Sequence, residues 1–112
     1  MLWHYQDDRH FYYLALKPNG WELGKADPAH PGGQRFLVSG TAPTYQVDAW
    51  YKVRVVQRDS TMAVWVDDVQ LARFTDQQAP YLNGRLGLYT EDAHVQFSDV
   101  RVVLPAAGRR PW

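Results

Sequence analysis

Cysteine is missing from the sequence altogether. This absence excludes disulfide bonds, thiolate nucleophiles and cysteine zinc sites, while it leaves the cellular compartment open. No uninterrupted apolar run approaches the ~18 residues of a membrane-spanning helix, and residues 1–4 do not resemble a signal peptide. We therefore expect no membrane partner and assign no localisation.

An excess of charge is missing too, because 12 Lys and Arg residues balance 12 Asp and Glu residues. Without net charge the chain creates no long-range field for nucleic acid, so we expect no nucleic-acid partner. Hydrophobic residues make up 46% of the chain and aromatic residues 14%, a composition that excludes disorder and suits β-sheets. Its 112 residues predict one domain over residues 1–112, with 105–112 as a loose tail.

The most regular pattern lies in residues 50–75, which predict three antiparallel strands joined by two tight turns. Apolar and polar residues alternate along the first two strands. A two-residue or four-residue loop pairs Val55 with Val64. The next pair, Val53 with Val66, then falls on the same face, so the prediction does not depend on the loop length.

The second turn, Asp67-Asp68, uses aspartate in place of glycine because aspartate tolerates a positive φ. Beyond this turn the same alternation places Val69 and Leu71 on the core face. The opposite face is too aromatic for an ordinary solvated surface, and its predicted members are Arg54, Trp65, Ala72 and Phe74.

Further strands are predicted wherever apolar runs are bounded by turn residues, at 11–17, 21–25, 34–39, 84–90 and 93–104. Pro18-Asn19-Gly20 indicates a three-residue hairpin loop. A change of phase in the last segment predicts a β-bulge at Ser98-Asp99. No helix pattern is present, so the prediction is an all-β, antiparallel two-sheet sandwich of about 7–9 strands.

Four segments in sequence order, residues 50–55, 64–68, 87–89 and 97–102, resemble the C-terminal half of concanavalin A-like jelly rolls. That group includes laminin-G-type modules, glucanases and the 3-keto-disaccharide hydrolase group, and the resemblance covers about residues 11–103. Residues 21–25 with 33–36 are similar to a narrower, sugar-related subgroup. The resemblance implies a jelly roll shortened at its N-terminus, because such domains usually begin with several further strands.

Candidate catalytic groups are few. Glu91 and Asp92 are adjacent carboxylates that suit acid–base chemistry or calcium, but a polar turn between two strands is the favoured interpretation. No strand carries the paired carboxyls of a retaining glycosidase, and the four histidines share no metal-ligand spacing. We therefore predict no catalytic residue, no metal and no cofactor. A glycosidase or lyase that uses Glu91 and Asp92 is the alternative.

The remaining polar and aromatic residues predict a saccharide-binding surface, because sugars stack their C–H faces on rings and need directed hydrogen bonds. The competing interpretation makes Trp21 a core residue and the pairs Lys17–Glu22 and Arg35–Glu91 ordinary cross-strand ion pairs. A structural domain without a ligand is a third possibility. The predicted site residues are Trp21, Glu22, Lys25, Gln34, Arg35, Tyr89, Glu91 and Asp92.

The segment 11–17 is apolar at nearly every position, so both of its faces need a covering layer. An unpaired strand edge or an apolar face invites pairing with another chain. We therefore expect a homodimer or higher oligomer formed through an open sheet edge or face. In the competing account, residues 2–5 and 108–112 fold back and cover the gap within one chain.

Overall fold

The computed structural model describes residues 1–90 and 94–103. Over these residues the eight strands are β1 (Leu2–Asp7), β2 (His10–Lys17), β3 (Gly20–Ala26), β4 (Gln34–Gly40), β5 (Val53–Arg58), β6 (Thr61–Val66), β7 (Val69–Thr75) and β8 (Arg85–Gly87). A single 3-10 turn, Pro31–Gly33, precedes β4. One antiparallel sheet has the order β4-β3-β2-β1-β8 and the other β5-β6-β7, which confirms the predicted all-β, two-sheet fold. None of the described residues forms a helix that could span a membrane.

The pairing of β2 with β3 has no register shift along its whole length. The predicted three-residue loop is wrong here, because Gly20 pairs with Lys17 and only Pro18 and Asn19 form the turn. Gly20 has a φ of +139°, and a Cβ at this position would lie 2.0 Å from the carbonyl oxygen of Gly40. Glycine is therefore needed for the close approach of β4 rather than for the loop.

Alternation divides the residues of the five-stranded sheet between two faces. The inner face packs against the three-stranded sheet and the outer face is the opposite one. Tyr12 and Leu14 are buried on the inner face, whereas Tyr13 between them points outward. The buried core combines residues of both sheets with two loop tyrosines, and its members are Trp3, Tyr12, Leu14, Trp21, Leu23, Tyr45, Met62, Val64, Val66 and Tyr81.

Strand β1 was not predicted from the sequence. It lies between β2 and β8 and buries Trp3, whose indole Nε1 donates a hydrogen bond to Oε1 of Gln57 at 2.9 Å. Residues 2–5 thus fold back within the chain, as the competing account had it. The segment 11–17 is a central strand as predicted, since β2 has a neighbour on each side.

The register of the three-stranded sheet confirms the predicted valine pairs. Val55 lies opposite Val64, and Val53 lies opposite Val66. At the second turn, Asp67 and Asp68 both have positive φ values, 50° and 65°, as a two-residue turn matched to the strand twist requires. Alternation and turn chemistry were therefore sufficient to predict this part of the fold.

A bulge in β7 overturns part of the predicted division of faces. Ala72 pairs with the buried Val64, so Ala72 and Phe74 pack against the core instead of beside Trp65. Leu71 also packs against the core as expected, whereas Val69 is 58% exposed. Ala72 and Phe74 change faces because the extra residue at the bulge shifts the phase of every residue that follows it. Val69 precedes the bulge and lies opposite Val66 at the start of β7.

The C-terminal part of the chain departs most from the prediction. The segment 84–90 contains only the short β8, and no strand is present over residues 94–103. The predicted strand at 93–104 and its bulge at Ser98-Asp99 are therefore wrong over 94–103, while residues 93 and 104–112 lie outside the described residues. Val95, Phe97 and Val100 are 45–48% exposed. An alternating pattern of apolar residues is not sufficient for a strand, because a strand also needs a neighbouring strand to pair with.

Candidate functional site

The predicted site residues of β3 lie on two different faces. Trp21 belongs to the inner face, is only 7% exposed, and donates a hydrogen bond from its indole Nε1 to the carbonyl oxygen of Ala42 at 3.0 Å. Glu22, the next residue, lies on the outer face. The ring of Trp21 is therefore packed in the core and offers no surface to a solvent-borne ligand.

Lys25 is fully buried on the inner face and pairs with Asp76, which follows β7 and is also buried. Its Nζ lies 2.7 Å from Oδ2 of Asp76 and donates to the carbonyl oxygens of Gln78 and Ala79. The hydroxyl of Tyr12 donates to the same Oδ2 at 2.7 Å. We call Lys25, Asp76 and Tyr12 the inner cluster. Its polar groups are mutually satisfied, as a buried network requires.

The electrostatics of the inner cluster favour its charged form. Burial acts to raise the pKa of Asp76, but hydrogen bonds from Lys25, the Gln78 amide and Tyr12 outweigh burial and hold that pKa below its ordinary value. Nη1 of Arg35 lies 3.4 Å from Oδ1 of the same carboxylate. Lys25 and Arg35 thus both turn toward Asp76, which stabilises the junction of the two sheets.

Sequence reasoning missed Asp76. A signal was nevertheless present, because Lys25 shares its strand parity with the apolar residues Trp21 and Leu23. A lysine on a buried face needs an acidic partner, since an unpaired buried charge is strongly destabilising. Which carboxylate supplies that partner depends on the packing of the two sheets.

The outer face brings two predicted residues together around a tyrosine that was not predicted. The hydroxyl of Tyr13 donates to Oε2 of Glu22 at 2.6 Å and accepts a hydrogen bond from Nε2 of Gln34. Oε1 of Glu22 accepts from Nζ of Lys17 at 2.6 Å. We call Lys17, Glu22 and Tyr13 the outer cluster. It is partly accessible, because the side chains of Lys17 and Glu22 are 44% and 14% exposed.

Gly24 determines where the Tyr13 ring lies. A Cβ on Gly24 would be 2.1 Å from Cζ and 2.2 Å from the hydroxyl oxygen of Tyr13, so only glycine leaves room for the ring. The ring therefore rests on the backbone of β3. Burial, followed by the hydrogen bond to the Glu22 carboxylate, raises the pKa of Tyr13, so its hydroxyl stays protonated at neutral pH.

Further aromatic rings continue this surface on both sides of Tyr13. Tyr5 stacks on Phe11 with ring centroids 5.6 Å apart, and Phe11 meets Tyr13 edge-on at 6.5 Å. Phe36 lies opposite Gly24 on β4 and is 63% exposed. We call this whole surface the outer-face platform, and its members are Tyr5, Phe11, Tyr13, Lys17, Glu22, Gln34 and Phe36.

The other predicted residues are not part of the platform as the structure describes it. Tyr89 is 57% exposed and follows β8, which forms the sheet edge opposite β4. Glu91 and Asp92 lie outside the described residues. The described members of the predicted set are therefore divided. Trp21 and Lys25 are buried, Arg35 turns toward Asp76, Glu22 and Gln34 lie on the platform, and Tyr89 follows the edge strand β8.

Two open clefts are also present in the described part of the chain. One of about 310 Å³ is lined by Asp8, Arg9, Pro28, Gly32 and Gly33. Another of about 520 Å³ is lined by residues 50–53, Asp67, Ser98 and Asp99. Over residues 1–90 and 94–103, no three His, Asp or Glu side chains are grouped so that they could hold a metal ion.

Residues 4–103 match the model of the 3-keto-alpha-glucoside-1,2-lyase-like domain family. The chain belongs to this family. Because the family is of the concanavalin A-like type, the match confirms the predicted resemblance and agrees with the all-β sandwich. No curated protein and no solved structure is similar enough to the chain to count as a match. The family is a carbohydrate-related one, so the chain contains a carbohydrate-related domain.

Proposed function

We propose that this member of the 3-keto-alpha-glucoside-1,2-lyase-like family is a non-catalytic carbohydrate-binding module, and that the outer-face platform is its binding surface. The observation that supports this most strongly is the Tyr13 ring, which rests on Gly24 while Glu22 and Gln34 hold its hydroxyl. Trp21 and Lys25 are left out of the proposed surface because both are buried.

The platform combines the two kinds of contact that a sugar needs. Its rings offer flat apolar surfaces on which the C–H face of a pyranose can stack. Lys17 and Gln34 carry further N–H donors beyond those that bind Glu22 and Tyr13, and both side chains reach solvent. A few directed polar groups among aromatic rings are typical of small-molecule sites.

The platform is also arranged before any ligand arrives. Tyr13 is held by its fit to Gly24 and by two hydrogen bonds, and Glu22 is held by Tyr13 and Lys17. Groups that are already ordered lose little conformational freedom when a ligand binds. Such a surface can therefore bind a sugar weakly but specifically, with a free energy of roughly 4–8 kcal/mol for millimolar to micromolar dissociation constants.

The same geometry argues against catalysis at the platform. Both carboxylate oxygens of Glu22 already accept hydrogen bonds, so this group is a poor general base. A glycosidase also needs a second carboxyl across the scissile bond. In the described part of the chain, no second carboxylate joins the hydrogen bonds of the outer cluster.

Binding can be tested with a glycan array, followed by calorimetric titration of the saccharides retained. We expect Tyr13→Ala and Gly24→Ala to lower the affinity at least about tenfold, which corresponds to 1.4 kcal/mol. Trp50→Ala is the matched control, because Trp50 is 67% exposed and lines a different cleft, together with Asp67 and Ser98. Unchanged affinity in both platform variants, with wild-type circular dichroism, would contradict the proposal.

The enzyme alternative requires a separate assay. A 3-keto-α-glucoside is incubated with the protein, and the elimination product is followed by mass spectrometry. We expect no turnover above the buffer rate. Turnover that disappears in a Glu91→Gln, Asp92→Asn variant would instead assign the lyase or glycosidase role to those two carboxylates.

A further inference from the structure

We infer that the ligand of the platform is an uncharged, linear oligosaccharide that lies across the strands of the five-stranded sheet. This inference rests on the proposed function, and it specifies which class of saccharide the platform takes. It follows from the arrangement of the rings, the small residues between them and the balance of charge.

The aromatic residues run across the strands rather than along one strand. Tyr13 of β2, Gly24 of β3 and Phe36 of β4 form one row in register, with Tyr13 leaning over Gly24. Adjacent strands are about 4.8 Å apart, so the backbones that carry Tyr13 and Phe36 are separated by roughly 10 Å. Phe11 lies on β2 next to the Tyr13 ring, and Tyr5, stacked on Phe11, extends the rings in the opposite direction, onto β1. A single pyranose cannot contact rings spread over this width, whereas a chain of several units can.

Small residues on the outer face allow the aromatic rings to lie close to the sheet. Ala15 lies opposite Glu22, and Ala26 lies opposite Phe11, both on the outer face. The Tyr13 ring covers Gly24, and Ala26 is only 8% exposed, so Ala15 is the small residue that leaves open surface beside the rings. A side chain at position 24 would displace the Tyr13 ring from its place between Phe11 and Phe36.

The charge of the platform is internally balanced. Its lysine, Lys17, is paired with Glu22 at 2.6 Å, and Gln34 is neutral. The Tyr13 hydroxyl stays protonated because its pKa is raised. With the cation already paired, an acidic sugar would have to displace Glu22, so the geometry favours an uncharged ligand.

Calorimetric titration with glucose and with its α-1,4-linked and β-1,4-linked oligomers of increasing length tests this inference. We expect the affinity for at least one series to rise at least about tenfold from the monosaccharide to the tetrasaccharide, and then to level off. We also expect the affinity to stay within about twofold as salt rises to about 1 M, since an uncharged ligand is not screened. Oligogalacturonides serve as the acidic series and should bind at least about tenfold more weakly.

The variant Phe36→Ala tests whether the ligand lies across the strands as far as β4. Because Phe36 is largely exposed, its removal should leave the fold intact and abolish the gain in affinity with chain length. Trp50→Ala should keep the gain. Equal affinity for monosaccharide and tetrasaccharide, or tighter binding of oligogalacturonides, would overturn this inference while leaving saccharide binding in place. Absence of binding to every saccharide would overturn the proposed function itself.

Discussion

Each face of the five-stranded sheet meets a set consisting of one lysine, one carboxylate and one tyrosine. In the inner cluster, Lys25 and Asp76 have no exposed side-chain surface, and Nζ lies 2.7 Å from Oδ2. In the outer cluster the Lys17–Glu22 distance is almost the same, 2.6 Å, but the lysine side chain is 44% exposed. The two clusters therefore contain nearly the same chemical groups in two environments, one buried and one partly exposed to water.

This comparison indicates that burial, rather than residue type, separates the structural inner cluster from the outer cluster, for which we propose a binding role. In the inner cluster every donor and acceptor must be satisfied within the protein, and the network serves to join two sheets. In the outer cluster water satisfies the remaining donors, and a sugar hydroxyl can replace that water. Tyr12 and Tyr13 are adjacent in the chain, yet alternation places one in each cluster.

Replacing the lysine of each cluster should give the largest difference in the free energy of unfolding between the two clusters. We expect Lys25→Met to lower the free energy of unfolding by about 3–5 kcal/mol, because it removes the closest and, among the described residues, the only fully buried cation of the buried Asp76 carboxylate and leaves the longer Arg35 contact. Lys17→Met is the matched control and should cost at most about 1 kcal/mol, as for other partly exposed ion pairs. Urea denaturation at neutral pH measures both. Similar midpoints for the two variants would show that the clusters do not differ in burial.

Removal of apolar volume from the layer that covers the inner face should have the next largest effect. Val64 is fully buried opposite Val55, so Val64→Ala should cost about 1–3 kcal/mol through lost contacts and a cavity. Arg54→Ala should cost at most about 1 kcal/mol, because the guanidinium covers the Trp65 ring on the exposed side at 4.5 Å. Identical midpoints for the wild type and Val64→Ala would contradict the valine register.

Acid should act on the inner cluster through Asp76. Its pKa is lower in the folded protein than the ordinary value of 3.8, so its contribution to stability is complete above that value. We expect that contribution to be lost as the pH falls from about 3.8 toward the lower folded pKa. Unfolding free energies measured across this range test the expectation. Asp7 also has a lowered pKa, because its carboxylate accepts hydrogen bonds from His10 and from the Arg9 amide. Asp7 is not part of the inner cluster, so the control variant Asp7→Asn should retain most of the decline in the free energy of unfolding.

The predicted homodimer or higher oligomer would remove the difference in burial between the two clusters if a second copy covered the outer face. Lys17 and Glu22 would then be buried as Lys25 and Asp76 are. Sedimentation at micromolar concentration tests this prediction, and a single species at the chain mass of 12.9 kDa would refute it. Loss of the oligomer upon addition of a bound saccharide would place the contact at the platform.

Local rules in the sequence were sufficient for much of the fold. Alternation predicted β2, β3 and the three-stranded sheet, and positive-φ aspartates predicted the turn at Asp67-Asp68. These features depend on neighbours in sequence, where side-chain period and turn chemistry act directly. Local rules failed at Ala72 and Phe74, where a bulge had changed the phase, and over residues 94–103, where an apolar alternation produced no strand.

For the candidate site, the sequence by itself determined which residues lie on the same face of a strand. Alternation, a property of the extended backbone, puts Trp21 and Lys25 on one face of β3 and Glu22 on the other, although the predicted site had grouped all three. Only the tertiary structure decided which face was buried, that Asp76 pairs with Lys25, and that Gly24 lets Tyr13 reach Glu22 and Gln34. Those outcomes depend on contacts between residues distant in the chain, and these form only when the sheets pack.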